Sequence, residues 1–119
     1  MMMSDLARLS LESEGDVELA RVAGEVDASN VDDLSRRLLS SVSNKARGLV
    51  LDLTETSYID SSGIELLFRL HAALAADGVE LIVVAPDGSN AARLLGLVAM
   101  SDIGEVRRSL AEALHRCGS

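Results

Sequence analysis

Gly48-Leu49-Val50-Leu51-Asp52-Leu53-Thr54-Glu55-Thr56-Ser57-Tyr58-Ile59-Asp60-Ser61-Ser62-Gly63-Ile64-Glu65 changes character twice within eighteen residues. The opening run through Leu53 is almost continuously apolar, the pattern of a central strand covered on both faces. At the far end, Ser62 and Glu65 stand at capping-box spacing and open a helix over about 62–76. Ile64, Leu67, Phe68, His71 and Leu74 share one face of that helix. The part between, from Thr54 to Asp60, reads as a polar, hydroxyl-rich loop. A buried strand passing through a loop into an amphipathic helix is half of a βαβ unit, and it sets the fold class as α/β.

The same alternation continues outward. Asp77-Gly78 closes the helix, a second buried strand covers 79–85, and Pro86-Asp87-Gly88 stops it. A short helix over about 90–95 ends at Gly96, and 103–107 is a brief edge strand. Ser109 and Glu112 form a second capping-box pair that opens a last helix over 109–116. On the N-terminal side, 6–13 and 17–23 alternate as strands around the hairpin turn Glu14-Gly15-Asp16. Gly24-Glu25-Val26-Asp27 then leads into a first helix with Val31, Leu34, Leu38 and Val42 at helical spacing, and with Asp27, Ser29 or Asn30 as its cap. The expectation is a single α/β domain over 1–119, with its core between about 6 and 116. A mixed sheet of four to five strands packs with about four helices. Leu51, Leu53, Ile64, Leu67, Leu81 and Val83 are its expected interior.

Composition narrows the function. The chain has 48% hydrophobic and 25% charged residues, as ordinary globular domains do. Its aromatics are Tyr58 and Phe68 alone, too few for base-stacking platforms. Nineteen acidic against eleven basic residues give a net charge of −8, which repels phosphate backbones and anionic lipid. Direct nucleic-acid binding and membrane insertion are therefore not expected. Acid is concentrated before residue 35, where only Arg8 and Arg21 offset it. That end would steer a basic partner, although plain solvation accounts for it equally well.

The single Cys117 rules out an internal disulfide and fits a reducing, cytoplasmic setting. The segment Met1-Met2-Met3-Ser4-Asp5 lacks the features of a signal peptide. Two histidines, His71 and His115, and one cysteine give no metal-ligand spacing. No nucleophile elbow or phosphate-binding glycine loop is present. Neither an enzyme nor a cofactor is expected.

The unusual chemistry lies where the loop meets the helix. Ser62 is expected to cap the free amides, leaving Ser61 facing solvent, with Gly63 letting a partner's backbone come close. A phosphate on Ser61 would sit at the positive end of the helix dipole and add about −1.5 to −2 charges at pH 7. Asp60 is adjacent, and Asp27 is near if the two strand-end loops cluster. By itself, Asp-Ser-Ser-Gly reads equally as a plain cap and turn. The expected docking face joins the loop 24–27 (Gly24, Glu25 and Asp27), the tip 61–64 (Ser61, Ser62, Gly63 and Ile64), and a stripe of Leu66, Leu70 and Ala73 on the side of the helix away from Leu67. Either a partner or a second helix covers that stripe.

With these residues in view, the sequence resembles the STAS family, the domain shared by anti-sigma-factor antagonists and sulfate transporters. Gly24-Glu25-Val26-Asp27 is similar to the family's Gly-Glu-hydrophobic-Asp, and Tyr58-Ile59-Asp60-Ser61-Ser62-Gly63 to its aromatic-hydrophobic-Asp-Ser-Ser-Gly signature. Ala92-Arg93-Leu94-Leu95-Gly96-Leu97 resembles its later arginine-and-leucine motif. The resemblance implies an anti-sigma-factor antagonist in a partner switch. It would bind an anti-sigma factor that is also a serine kinase, leave it on phosphorylation of Ser61, and be reset by a serine phosphatase. Such a protein is expected as a monomer or weak dimer. The alternative role is a STAS subunit of a stressosome-like scaffold or of a lipid-transport ABC complex. Glu65 departs from the small residue often found there and adds negative charge near the docking tip.

Overall fold

The computed structural model describes residues 7–43, 45–96, 105–109, 111, 113 and 114. Alternating apolar residues make Ala7–Glu14 (β1) and Val17–Val26 (β2) an antiparallel hairpin, paired from Ala7 with Gly24 to Glu14 with Val17. The helix Val31–Ser41 (α1) follows and buries Val31, Leu34 and Leu38. The run Gly48–Asp52 (β3) is buried at every position, as its unbroken apolar pattern requires, and lies parallel to β2. After a turn, Thr56–Ile59 (β4) also pairs parallel with β2. The helix Ser61–Ala76 (α2), the strand Glu80–Val84 (β5), the short helix Asn90–Leu95 (α3) and the strand Glu105–Arg107 (β6) complete the order.

The sheet runs β1-β2-β3-β5-β6, with β4 beside the end of β2. It is mixed and α/β, as expected, and the six expected core residues are all buried at 5% exposure or less. Alternation divides the interior into two layers. Leu49, Leu51, Leu81 and Val83 join α1, α2 and α3 in the larger one. Val50, Ile82 and Val84 face the other way and meet Val17, Leu19 and Ala113. Residues 111, 113 and 114 are helical, and the Ala113 amide donates to the Ser109 carbonyl at 3.2 Å. Ser109 precedes the helical residues, while Leu110, Glu112, His115 and Arg116 of the expected last helix, and positions 103–104, lie outside the described residues.

Among the described residues the sheet has six strands rather than four or five, because β4 forms inside the segment read as a loop. β3 leaves β2 at the Arg21–Asp52 pair, and β4 takes up pairing along the last residues of β2. The turn between is fastened from both sides. The Thr56 amide donates to the Leu53 carbonyl at 3.1 Å, and the Gly24 amide to the Glu55 carbonyl at 3.1 Å. Thr56 is itself buried, its hydroxyl donating to the Val22 carbonyl at 2.8 Å. A register shift falls between Gly24 and Glu25, and Gly24 takes a φ of 102°, a conformation that side chains other than hydrogen rarely adopt. Thus β2 extends to Val26, three residues past its expected end, and brings its last residues alongside β4.

Candidate functional site

The pairing of Glu25 with Tyr58 and Val26 with Ile59 sets the two motif segments side by side at one end of the sheet. The two strands are parallel, so both then turn into helices at that same end. The clustering on which the site depended is therefore present.

On the first side, Asn30 occupies the cap position of α1 but makes no side-chain bond to the helix. It is buried at 4% exposure and turned back toward the strand. Its Oδ1 accepts from the Asp27 amide at 3.1 Å, and its Nδ2 donates to the Glu25 carbonyl at 2.8 Å. The Asp27 Oδ1 accepts from the Ser29 hydroxyl at 2.6 Å and the Ser29 amide at 2.9 Å. These bonds favour the ionised form and hold the Asp27 carboxyl below its ordinary value, the hydroxyl contributing most.

On the second side, the structure corrects the expected cap. Asp60, not Ser62, caps α2: its Oδ1 accepts from the Ser62 amide at 2.9 Å. The Asp60 carbonyl takes the Gly63 and Ile64 amides at 3.0 and 3.2 Å. The helix consequently begins at Ser61, and the Ser62–Glu65 pair is not a capping box. Ser61 is exposed, and its hydroxyl bonds to no other described residue. Ser62 is half-buried beside it.

Gly63 is also required for a reason other than the expected one. It is buried against the molecule rather than offered to a partner. A Cβ there would run into Ile59, with Cδ1 at 2.7 Å, and press on Val26 Cγ1 at 3.3 Å. The absent side chain lets the first turn of α2 sit directly on the paired ends of β2 and β4.

The expected outer stripe on α2 does not exist as a free surface. Leu66 is 4% exposed and Leu70 0%, in the same interior as Val31, Leu34 and Leu38 of α1. α2 packs on both the sheet and α1, so both of its apolar faces are spoken for. Ile64, also expected at the docking face, is buried too. What remains open at the tip is Glu25 and Ser61, with Asp27, Asp60 and Ser62 partly exposed.

Two features escaped the sequence reading. Tyr58, 44% exposed, stands on β4 beside Glu25. Its place in a short strand with an outward face was hidden by the absence of any apolar alternation. A groove of about 440 Å³ runs between the starts of α1 and α2, lined by Ala28, Val31, Asp32, Ser62, Glu65, Phe68 and Arg69. Arg69 reaches across it to Asp32, with Nη1 to Oδ1 at 3.5 Å. His71, expected in the core or at an interface, is half-buried. No His, Cys, Asp or Glu cluster suited to a metal occurs among the described residues. Among them, no helix is long and apolar enough to cross a membrane.

Known proteins share this fold. An anti-sigma factor antagonist from Mycobacterium paratuberculosis superposes with a TM-score of 0.80 at 20% identity, covering 100% of both chains. The anti-sigma factor antagonist SpoIIAA in its unphosphorylated form gives 0.67 at 19% identity, over 94% of this chain and 99% of the other. At these identities the likeness is one of fold. In sequence, sulfate transporter 2.1 of Arabidopsis thaliana is 32% identical over 98 residues, which is 82% of this chain but 14% of the transporter. A family model for the STAS domain matches residues 8–113, taking in both halves of the tip, and the chain belongs to the STAS domain family.

Proposed function

We propose that the chain is an anti-sigma-factor antagonist whose affinity for its partner is switched by phosphorylation of Ser61. The observation that carries this reading is the division of labour at the start of α2. Asp60 holds the first free amide, and Ser61 presents an exposed hydroxyl that bonds to no other described residue. A kinase can therefore modify that hydroxyl without undoing the cap. No acidic residue lies in the first turn of α2, so a phosphate there meets the positive end of a 16-residue helix.

The partner in this reading is an anti-sigma factor with serine kinase activity, which docks over Ser61, Glu25 and Asp27. The half-exposed Phe68 and the neighbouring groove extend the surface in place of Leu66 and Leu70. Phosphorylation adds about two negative charges beside Asp60 and Asp27 and repels a partner whose docking surface there is acidic or apolar, and a serine phosphatase restores binding. These partners place the protein in the cytoplasm, acting by binding and not by catalysis. Incubation with the cognate kinase and ATP tests the assignment: phosphate on Ser61 supports it, and no incorporation counts against it.

A second reading, a STAS module of a larger assembly such as a stressosome-like scaffold or a lipid-transport ABC complex, has one specific support. The 32% identity to a segment of a transporter shows that such domains occur inside longer chains. Co-purification of Ser61-unmodified protein with a stable multi-subunit complex would favour it.

A further inference from the structure

β1 ends the described strand order, with β2 on one side and no described strand on the other. Its sequence, Ala7-Arg8-Leu9-Ser10-Leu11-Glu12-Ser13-Glu14, is unusual for an edge. Edges are commonly blunted by charged side chains or by proline, and this one carries three charges, but of both signs: Arg8 with Glu12 and Glu14. Here a cation and an anion stand at equal distances either side of Ser10, with Leu9 and Leu11 between them. Arg8 is exposed and has no ion-pair partner among the described residues, despite the net charge of −8. Leu11 is 46% exposed, on the same face as Leu9, which packs against the larger core layer.

We propose that β1 is a self-association edge, pairing antiparallel with β1 of a second copy about a two-fold axis through Ser10. In that register Arg8 lies opposite Glu12 of the second copy, Leu9 opposite Leu11, and Ser10 opposite itself. Ser10–Ser10 lies on the axis, and each of the other cross-strand pairs occurs twice, as a two-fold interface requires. The backbone phase agrees. The turn at Gly15 (φ 63°) and Asp16 closes the hairpin with the pair Glu14–Val17. Hydrogen bonds alternate from that closing pair, so Arg8, Ser10 and Glu12 direct their amides to β2. Ala7, Leu9, Leu11 and Ser13 then direct theirs to the open edge. The Leu9–Leu11 pair becomes hydrogen-bonded, and Arg8–Glu12 falls at a non-bonded site, where facing side chains approach most closely. Sliding the strands by two residues toward the C-terminus sets Arg8 against Glu14 and Leu11 against itself, but puts Leu9 against Ser13 and Ser10 against Glu12, so the paired Leu9–Leu11 contacts are lost and Glu12 no longer faces a cation.

Such a dimer continues the sheet across both copies. Because the two β1 strands run in opposite directions, their Ser61 tips point to opposite ends and both stay accessible. Like net charge opposes the encounter and is screened at physiological salt, so association is weak and concentration-dependent.

Sedimentation equilibrium of the full chain over a dilution series, with Arg8→Glu, Glu12→Arg and the double exchange Arg8→Glu/Glu12→Arg, decides the matter. Each single variant should raise the dimer dissociation constant roughly 2- to 30-fold, Arg8→Glu at unchanged melting temperature and Glu12→Arg at a slightly lowered one because it also gives up the exposed Arg21–Glu12 ion pair at 3.8 Å, and the double exchange should recover most of the loss in association. A wild-type protein monomeric at every concentration overturns the proposal. So does a dimer indifferent to the single exchanges, or a folded double exchange no better than either single one.

Discussion

α1 and α2 both begin just past the ends of parallel strands, β2 and β4, yet their first turns are held by opposite means. At α1 the side chain of Asn30, the residue in cap position, makes no bond to the helix and ties the 25–27 segment to itself. The helix dipole is met instead by Asp32 and Asp33 in the first turn. At α2 the first turn has no acid, and a single carboxylate, that of Asp60, does the capping. The first side is thus satisfied internally. The second keeps one hydroxyl and one favourable site for negative charge in reserve, which is what a modifiable tip needs.

The contrast can be broken most severely at the surface shared by the two sides. Gly63→Val forces a branched side chain onto Ile59 and Val26, and should cost about 1–3 kcal/mol or more in chemical denaturation. Asn30→Ala should cost about 1–3 kcal/mol, because the Asp27 amide and Glu25 carbonyl lose their partner in a part-buried turn. Asp60→Ala removes a true cap and should cost about 0.5–2 kcal/mol, whereas Ser62→Ala should stay within about 0.5 kcal/mol. Equal losses at 60 and 62 would restore the capping-box reading.

The smallest expected effect is one of pH. Folding holds the Asp27 carboxyl below its ordinary 3.8 through the Ser29 hydroxyl and amide. Its contribution is therefore fully present above that value and disappears as pH falls through the lower, folded one. Asp27→Asn should lower stability slightly near neutrality, where the carboxylate contributes, and flatten the acid limb of a stability–pH profile, with the two proteins converging at low pH. A steeper acid limb in the variant would contradict the assignment.

Much of this was written in the sequence. Runs such as Leu49–Leu53 and Leu81–Val84 admit only a buried strand, and the clustering of the two strand-end motifs follows once those strands are parallel. What escaped was decided by neighbours rather than by local pattern. β4 has two exposed residues in four, so it carries no period to detect. Asp60 and Ser62 are both good caps, and Glu65 three residues after Ser62 made the wrong one look better. Leu66 and Leu70 form a true apolar stripe, but a helix pattern does not distinguish a partner from the protein's own α1.

In this reading the second tip is a switch, and Ser61 carries the change. The most direct test is the affinity of the chain for its cognate anti-sigma kinase before and after stoichiometric phosphorylation, with the phosphosite mapped by mass spectrometry. The account predicts phosphate on Ser61, none in Ser61→Ala despite near-wild-type stability, and affinity lowered by about tenfold or more. Phosphate on Ser62, or equal affinity of the two forms, would contradict it.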